Sequence, residues 1–135
     1  MFWIYDPKGC GQKTLLSEYL WRSCLDVREL TYGSERDLLF TIQITDRVFI
    51  FDMPRECDGG HVPYGVIEAC CDGRFFRSKY KSATLRSVRG QRLVIVLCNH
   101  EPKWDKLSRD RIHLFNCETS EKFLPGDSAL RSVDE

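Results

Sequence analysis

FWIYDPKGCGQKT, residues 2–14, is the stretch on which the fold turns. Phe2–Tyr5 is a short apolar run that ends at Asp6-Pro7, the pattern of a strand entering a turn. From Lys13 to about Arg22, Leu15, Leu16, Tyr19 and Leu20 recur at helical spacing. Between strand and helix lie Gly9 and Gly11, whose backbone can approach a ligand closely. A loop that holds a triphosphate needs inward-pointing N–H groups, a lysine for the outer phosphates and a hydroxyl for magnesium. Lys13 and Thr14 supply the last two at the helix start. The strict GxxxxGK[ST] spacing is not met, because Gln12 precedes the lysine. On this stretch alone, a glycine-rich turn ahead of an amphipathic helix is the equal alternative.

Working outward, VFIFD (48–52) is a continuous apolar run that ends in one carboxylate, as a buried parallel strand does. LVIVLC (93–98) is a second such run and ends at Asn99. A nucleotide hydrolase needs a strand-end acid for magnesium or water, and a polar group beside the γ-phosphate on a strand between that acid and the loop. Asp52 and Asn99 fit those roles, and parallel sheets place ligands at the carboxyl ends of their strands. LLFTIQI (38–44) reads as a strand from its β-branched and aromatic residues, and IHLFNC (112–117) as the last strand. Val66, Ile67 and Cys70 fit a short helix closed by Gly73, and residues 105–110 a loop or helical turn. The expectation is an α/β domain over residues 1–117, with a mainly parallel central sheet flanked by helices, and a polar tail over 118–135.

Among the 135 residues, 42% are hydrophobic and 30% charged, a globular balance. No apolar run approaches the ~20 residues of a membrane span, and no leader is read at Met1-Phe2, so no membrane partner is expected. Seven cysteines with no CxxC point to reduced thiols in an intracellular protein. Cys98-Asn99-His100 reads as a buried strand end in preference to a cysteine nucleophile, and the three histidines lack metal-ligand spacing. Lys+Arg and Asp+Glu both total 20, yet Gly73–Arg92 holds seven cations (Arg74, Arg77, Lys79, Lys81, Arg86, Arg89, Arg92) and no acid. Phe75, Phe76 and Tyr80 are interleaved with them. Cations that track phosphates and rings that stack on bases suit single-stranded nucleic acid; the bland alternative is a solvated basic loop.

Together these motifs resemble the superfamily 3 helicase domain of replication-associated (Rep) proteins from circular single-stranded DNA viruses, of the nanovirus, alphasatellite and circovirus kind. WIYDPKGCGQKT is similar to the group's W-[IV]-Y-G-P-x-G-x-x-G-K-[ST], and VFIFDMPRE to its apolar-F-D-[IM]-P-R segment. YGVIEACCDGRFFRSKY, RLVIVLCNHEP and LSRDRIHLF resemble the stretches that follow, so the likeness covers about residues 2–117. The resemblance implies an AAA+-like P-loop NTPase that hydrolyses ATP with Mg2+ and moves on single-stranded DNA during rolling-circle replication. It implies a homo-oligomeric ring, a hexamer, working in the host nucleus. By carry-over, Lys13 and Thr14 contact phosphate and magnesium, Asp52 is the metal-holding acid and Asn99 the sensor. Lys79, with Arg77, Tyr80 and Lys81, would touch DNA, and Arg111, or else Arg109, would be the arginine finger offered to a neighbour. Asp6 and Gln12 stand where the group has glycine, so weakened nucleotide affinity and slow or absent hydrolysis are expected. The group's nicking domain and oligomerisation region have no counterpart in these residues, so a fragment is expected. The rival reading is a relic P-loop fold that binds nucleic acid or a protein partner without turning over ATP.

Overall fold

A computed structural model of the chain describes residues 1–7, 13–31, 33–53, 62–77, 83–86, 92–117 and 121–123. Strands β1 (Phe2–Tyr5), β2 (Val27–Leu30), β3 (Val48–Asp52), β6 (Leu93–Cys98), β7 (His113–Asn116) and β8 (Glu121–Phe123) form one sheet in the order β2-β3-β6-β1-β7-β8. The first five in that order run parallel and β8 is antiparallel to β7. Helices α1 (Lys13–Ser23), α2 (Glu35–Thr41) and α3 (Tyr64–Asp72) flank it, and β4 (Arg74–Arg77) pairs with β5 (Ala83–Arg86) as a separate antiparallel hairpin. This is the expected α/β class, with a central sheet compatible with a P-loop NTPase fold. Among the described residues, no helix is long and apolar enough to cross a membrane.

The apolar runs are continuous because both faces of the sheet are covered. Val48, Ile50, Ile95 and Leu97 face Leu16, Leu20 and Cys24 on the α1 side. Phe49, Phe51, Val94, Val96, Trp3 and Tyr5 face Leu38, Ile42, Val66, Ile67 and Cys70 on the other. Phe49 and Phe51 are fully buried, each worth about 1.5–3 kcal/mol of apolar transfer. Trp3 also ties three elements together: its ring stacks on Tyr64 at 6.1 Å and its Nε1–H donates to the His100 carbonyl at 2.8 Å.

Residues 38–44 are not a strand. Ser34 Oγ accepts the Asp37 N–H at 3.2 Å and caps α2, and Glu35 and Asp37 favour the positive end of its dipole. Within the helix Leu38 is buried while Thr41 is exposed, and Ile42, the extended residue that closes it, is buried after it: the capped helix overrode β propensity. The chain instead uses Val27–Leu30 as an edge strand, in a stretch where no strand is expected from the sequence. α3 ends as expected: Gly73 has φ 73° and its N–H bonds the Ala69 carbonyl at 2.8 Å. Residues 121–123, expected within a tail, add the antiparallel edge strand. Residues 109–111 form a single 3-10 turn, within the loop or turn expected there.

Candidate functional site

Parallel strands bring their carboxyl ends to one edge, and β6 lies between β1 and β3 in the sheet. That is the order in which a central polar residue is flanked by the loop strand and the acid strand. Asp52 pairs in register with Leu97, one step before the β6 end. The Asp6 N–H bonds the Cys98 carbonyl at 3.1 Å and the Met53 N–H the Leu97 carbonyl at 2.9 Å, so the three strand ends leave the sheet level with one another.

Lys13 opens α1 above this edge, and its ammonium donates to Asn99 Oδ1 at 2.9 Å. The same ammonium acts on Asp52. Burial pushes the Asp52 carboxyl above the ordinary carboxylate range, Glu29 pushes it further, and Lys13 pulls it back. Lys13, Asp52 and Asn99 are therefore gathered at one place from three elements. Thr14 is exposed beside Lys13 on the first turn of α1. An ammonium, a hydroxyl, a carboxylate and an amide make a donor set that fits a triphosphate with a divalent cation. Gly9, Gly11 and Gln12 lie outside the described residues.

Asp6, at the loop's first position, is buried to 1% exposure. It lies near Cys117 at the end of β7, whose thiol is pushed up by burial and by Asp6 and pulled down by Lys13. Lys13, Ile4, Leu16, Phe115 and Cys117 line a small cleft of about 250 Å³ between α1 and β7. A larger cleft of about 640 Å³ lies elsewhere, where Gly33, Glu35, Tyr64, Lys103 and Lys106 meet, and none of the sequence-derived site residues lines it.

Arg111 is not at the strand-end site. It precedes β7 at the opposite edge of the sheet, where its guanidinium pairs with Asp72 at 2.9 Å and Glu68 at 3.1 Å. Arg109, on the same 3-10 turn, lies 4.4 Å over the Trp104 ring. Cys98 is buried and contacts His100 Nε2 at 3.2 Å, in keeping with a strand-end cysteine. Among the described residues, no group of three or more His, Cys, Asp or Glu could hold a metal ion.

Within the basic stretch, Arg74–Arg77 and Ala83–Arg86 pair as β4 and β5. Phe75 is fully buried and packs on Phe49 at 5.9 Å, anchoring one face to the core. Arg74 and Phe76 alternate onto the other face, where Arg74 pairs directly opposite Arg86 and Phe76 opposite Thr84. Arg74 and Arg86 are exposed, as is Phe76 at 56%. Like charges directly opposite are unfavourable without a counter-ion. Lys79, Tyr80 and Lys81 lie outside the described residues, as does the side chain of Arg77. Two groups escaped the sequence reading. Ser17 and Glu29 join α1 to β2 by a 2.6 Å hydrogen bond below Asp52, and nothing in their local sequence marks them as partners.

No protein-family model matches the chain. Among curated proteins it is similar to the Para-Rep C7 of Faba bean necrotic yellows C7 alphasatellite, 28% identical over 122 residues. It is likewise similar to the Para-Rep C3 of Milk vetch dwarf C3 alphasatellite, 29% identical over 122 residues. The Para-Rep C6 of Subterranean clover stunt C6 alphasatellite is 31% identical over 119 residues. Each match covers 87% of this chain and 41% of the relative, so the chain spans about two-fifths of the length of these curated relatives.

Proposed function

We propose that this chain, a homologue of the Para-Rep proteins of alphasatellites and so of the Rep proteins of circular single-stranded DNA viruses, is the ATP-binding, helicase-type part of a replication initiator. The observation that carries this reading is the 2.9 Å contact of Lys13 with Asn99 at a strand edge that also presents Asp52.

Lys13 would contact the β- and γ-phosphates, exchanging its bond to Asn99 for phosphate oxygens. Thr14 and Asp52 would hold magnesium, which supplies charge neutralisation between those phosphates. Freed from Lys13, the Asn99 amide would orient the attacking water or report the γ-phosphate. The Arg74–Phe76–Arg86 face would track single-stranded DNA, with Lys79, Tyr80 and Lys81 continuing the basic run. A finger role for Arg111 requires a neighbouring subunit of a ring to draw it away from Glu68 and Asp72.

A second reading is favoured by one observation: the buried Asp6 carboxylate near the site opposes a polyanion. On it, the domain binds nucleic acid or a partner and turns over no ATP. ATP hydrolysis with and without single-stranded DNA, measured beside Lys13→Ala, separates the two. DNA-stimulated, lysine-dependent turnover supports the helicase reading; DNA binding without turnover supports the second. DNA affinity should fall with a log–log salt slope of about −2 if about three phosphates are neutralised. Affinity that ignores salt, or survives the paired Lys79→Ala and Lys81→Ala change, contradicts the DNA reading.

A further inference from the structure

β3 carries one acid at its end, Asp52, and the residue before it is Phe51, fully buried on the opposite face. No second carboxylate from β3 therefore reaches the α1 side at the strand end. One arrives from the neighbouring strand instead. Glu29 on β2 stands in register with Ile50, two residues before Asp52. Alternation puts Val27, Glu29, Ile50 and Asp52 on one face, and Val27 and Ile50 pack in the α1-side cluster.

Ser17 fixes the Glu29 side chain there. Ser17 is 4% exposed, and its hydroxyl donates to Glu29 Oε1 at 2.6 Å. Ser17 lies one helical turn after Lys13, so the same face of α1 reaches Asn99 through Lys13 and Glu29 through Ser17. Glu29 is otherwise exposed on the edge strand. A serine thus holds a carboxyl group of the edge strand beneath the strand-end acid.

We propose that Glu29 is a positioning residue for the divalent cation of the nucleotide site: its charge, beside the strand-end acid on the same face, acts through Asp52 to strengthen cation binding. The inference rests on the ATP-site reading above. Register and alternation set Glu29 diagonal to Asp52 on the α1 side of the sheet, with Ser17 closing over it. Among the described residues, the charged groups facing Asp52 are Glu29 on β2 and Lys13 on α1. A charge and a hydrogen bond have separable consequences here. Glu29→Gln keeps an acceptor for Ser17 and loses the charge. Glu29→Asp keeps the charge and shortens the reach to Ser17.

The test is titration of Mg2+ against a fluorescent ATP analogue bound to the chain, with thermal melting in parallel. Glu29→Gln should raise the Mg2+ midpoint about five-fold, while metal-free binding of the analogue is unchanged or tighter. Glu29→Asp and Ser17→Ala should leave the midpoint within about two-fold of wild type, whatever they do to melting. An unchanged midpoint in Glu29→Gln overturns the proposal. So does an equal shift in Ser17→Ala, which would assign the effect to anchoring of α1. If the wild type binds no analogue at any Mg2+ concentration, the ATP-site reading fails and the role of Glu29 falls with it; if the wild type binds and only Glu29→Gln is silent, the site stands and this inference alone is lost.

Discussion

Replacing Asp46 with alanine should cost this fold more than any surface change. Asp46 is 5% exposed, yet it is charged, and it is stabilised by three donors: Arg28 Nε at 2.8 Å, Arg28 Nη2 at 3.3 Å and the Gln43 N–H at 2.8 Å. These bonds hold the turn before β3 against β2, the pair of strands that places Asp52 and Glu29. Truncation leaves the guanidinium and one backbone N–H without their acceptor. Removing one partner of a fully buried pair costs about 3–5 kcal/mol. The Arg28 side chain is 33% exposed, so water recovers part of its solvation, and about 2–3 kcal/mol is expected. At a urea m-value of about 1.5–2 kcal/mol/M, the midpoint should fall by about 1–2 M. Arg28→Ala should cost a similar amount, by stranding the carboxylate. The double variant should lie well short of the summed single losses, with a coupling of about 1 kcal/mol or more. Losses below about 0.5 kcal/mol, or full additivity, would show that the pair does not organise β2 against β3.

Three further outcomes follow from the site. Asp6→Gly should tighten binding of an ATP analogue by about ten-fold, because a buried negative charge leaves the approach to the phosphates; unchanged affinity would place the phosphates away from Asp6. Asp52→Asn should raise the melting temperature of the nucleotide-free chain at pH 7. Burial, then Glu29, raises the Asp52 carboxyl in the fold, so its favourable share is full below the unfolded value of about 3.9 and is lost as pH climbs through the folded value. The gain should shrink on acidification toward pH 4, and a lower melting temperature for Asp52→Asn at pH 7 would refute the sign. Native alkylation followed by mass spectrometry should leave Cys70 and Cys98 unlabelled until denaturant is added, since both are buried and burial pushes the Cys70 thiol upward; prompt labelling of either would contradict that packing.

The parts of the fold written in unbroken apolar runs were legible, because β3 and β6 are covered on both faces and carry no polar residue before Asp52, which ends β3, and Asn99, which follows β6. Asp52 and Asn99 were legible for the same reason: polarity returns where the strand meets the edge. Residues 38–44 misled because Phe40, Thr41 and Ile42 favour strands, while the deciding signal lay upstream in the Ser34 cap and the acids Glu35 and Asp37 of the first turn. β2 was illegible because VREL is half polar: Arg28 turns to Asp46 and Glu29 to Ser17, partners fixed only by tertiary structure. The exposed face of the hairpin follows from alternation once Phe75 is known to point inward, and no pattern in the basic run itself said which ring that was.

The account depends on Lys13, Asp52 and Asn99 forming one binding site for a triphosphate. Calorimetric titration of ATP with excess Mg2+ into the wild-type chain and Lys13→Ala tests this most directly. One saturable site is expected in the wild type, weakened at least about ten-fold by loss of the charge-assisted phosphate contacts of Lys13. No heat of binding at millimolar ATP, or equal affinity in the two chains, would contradict it.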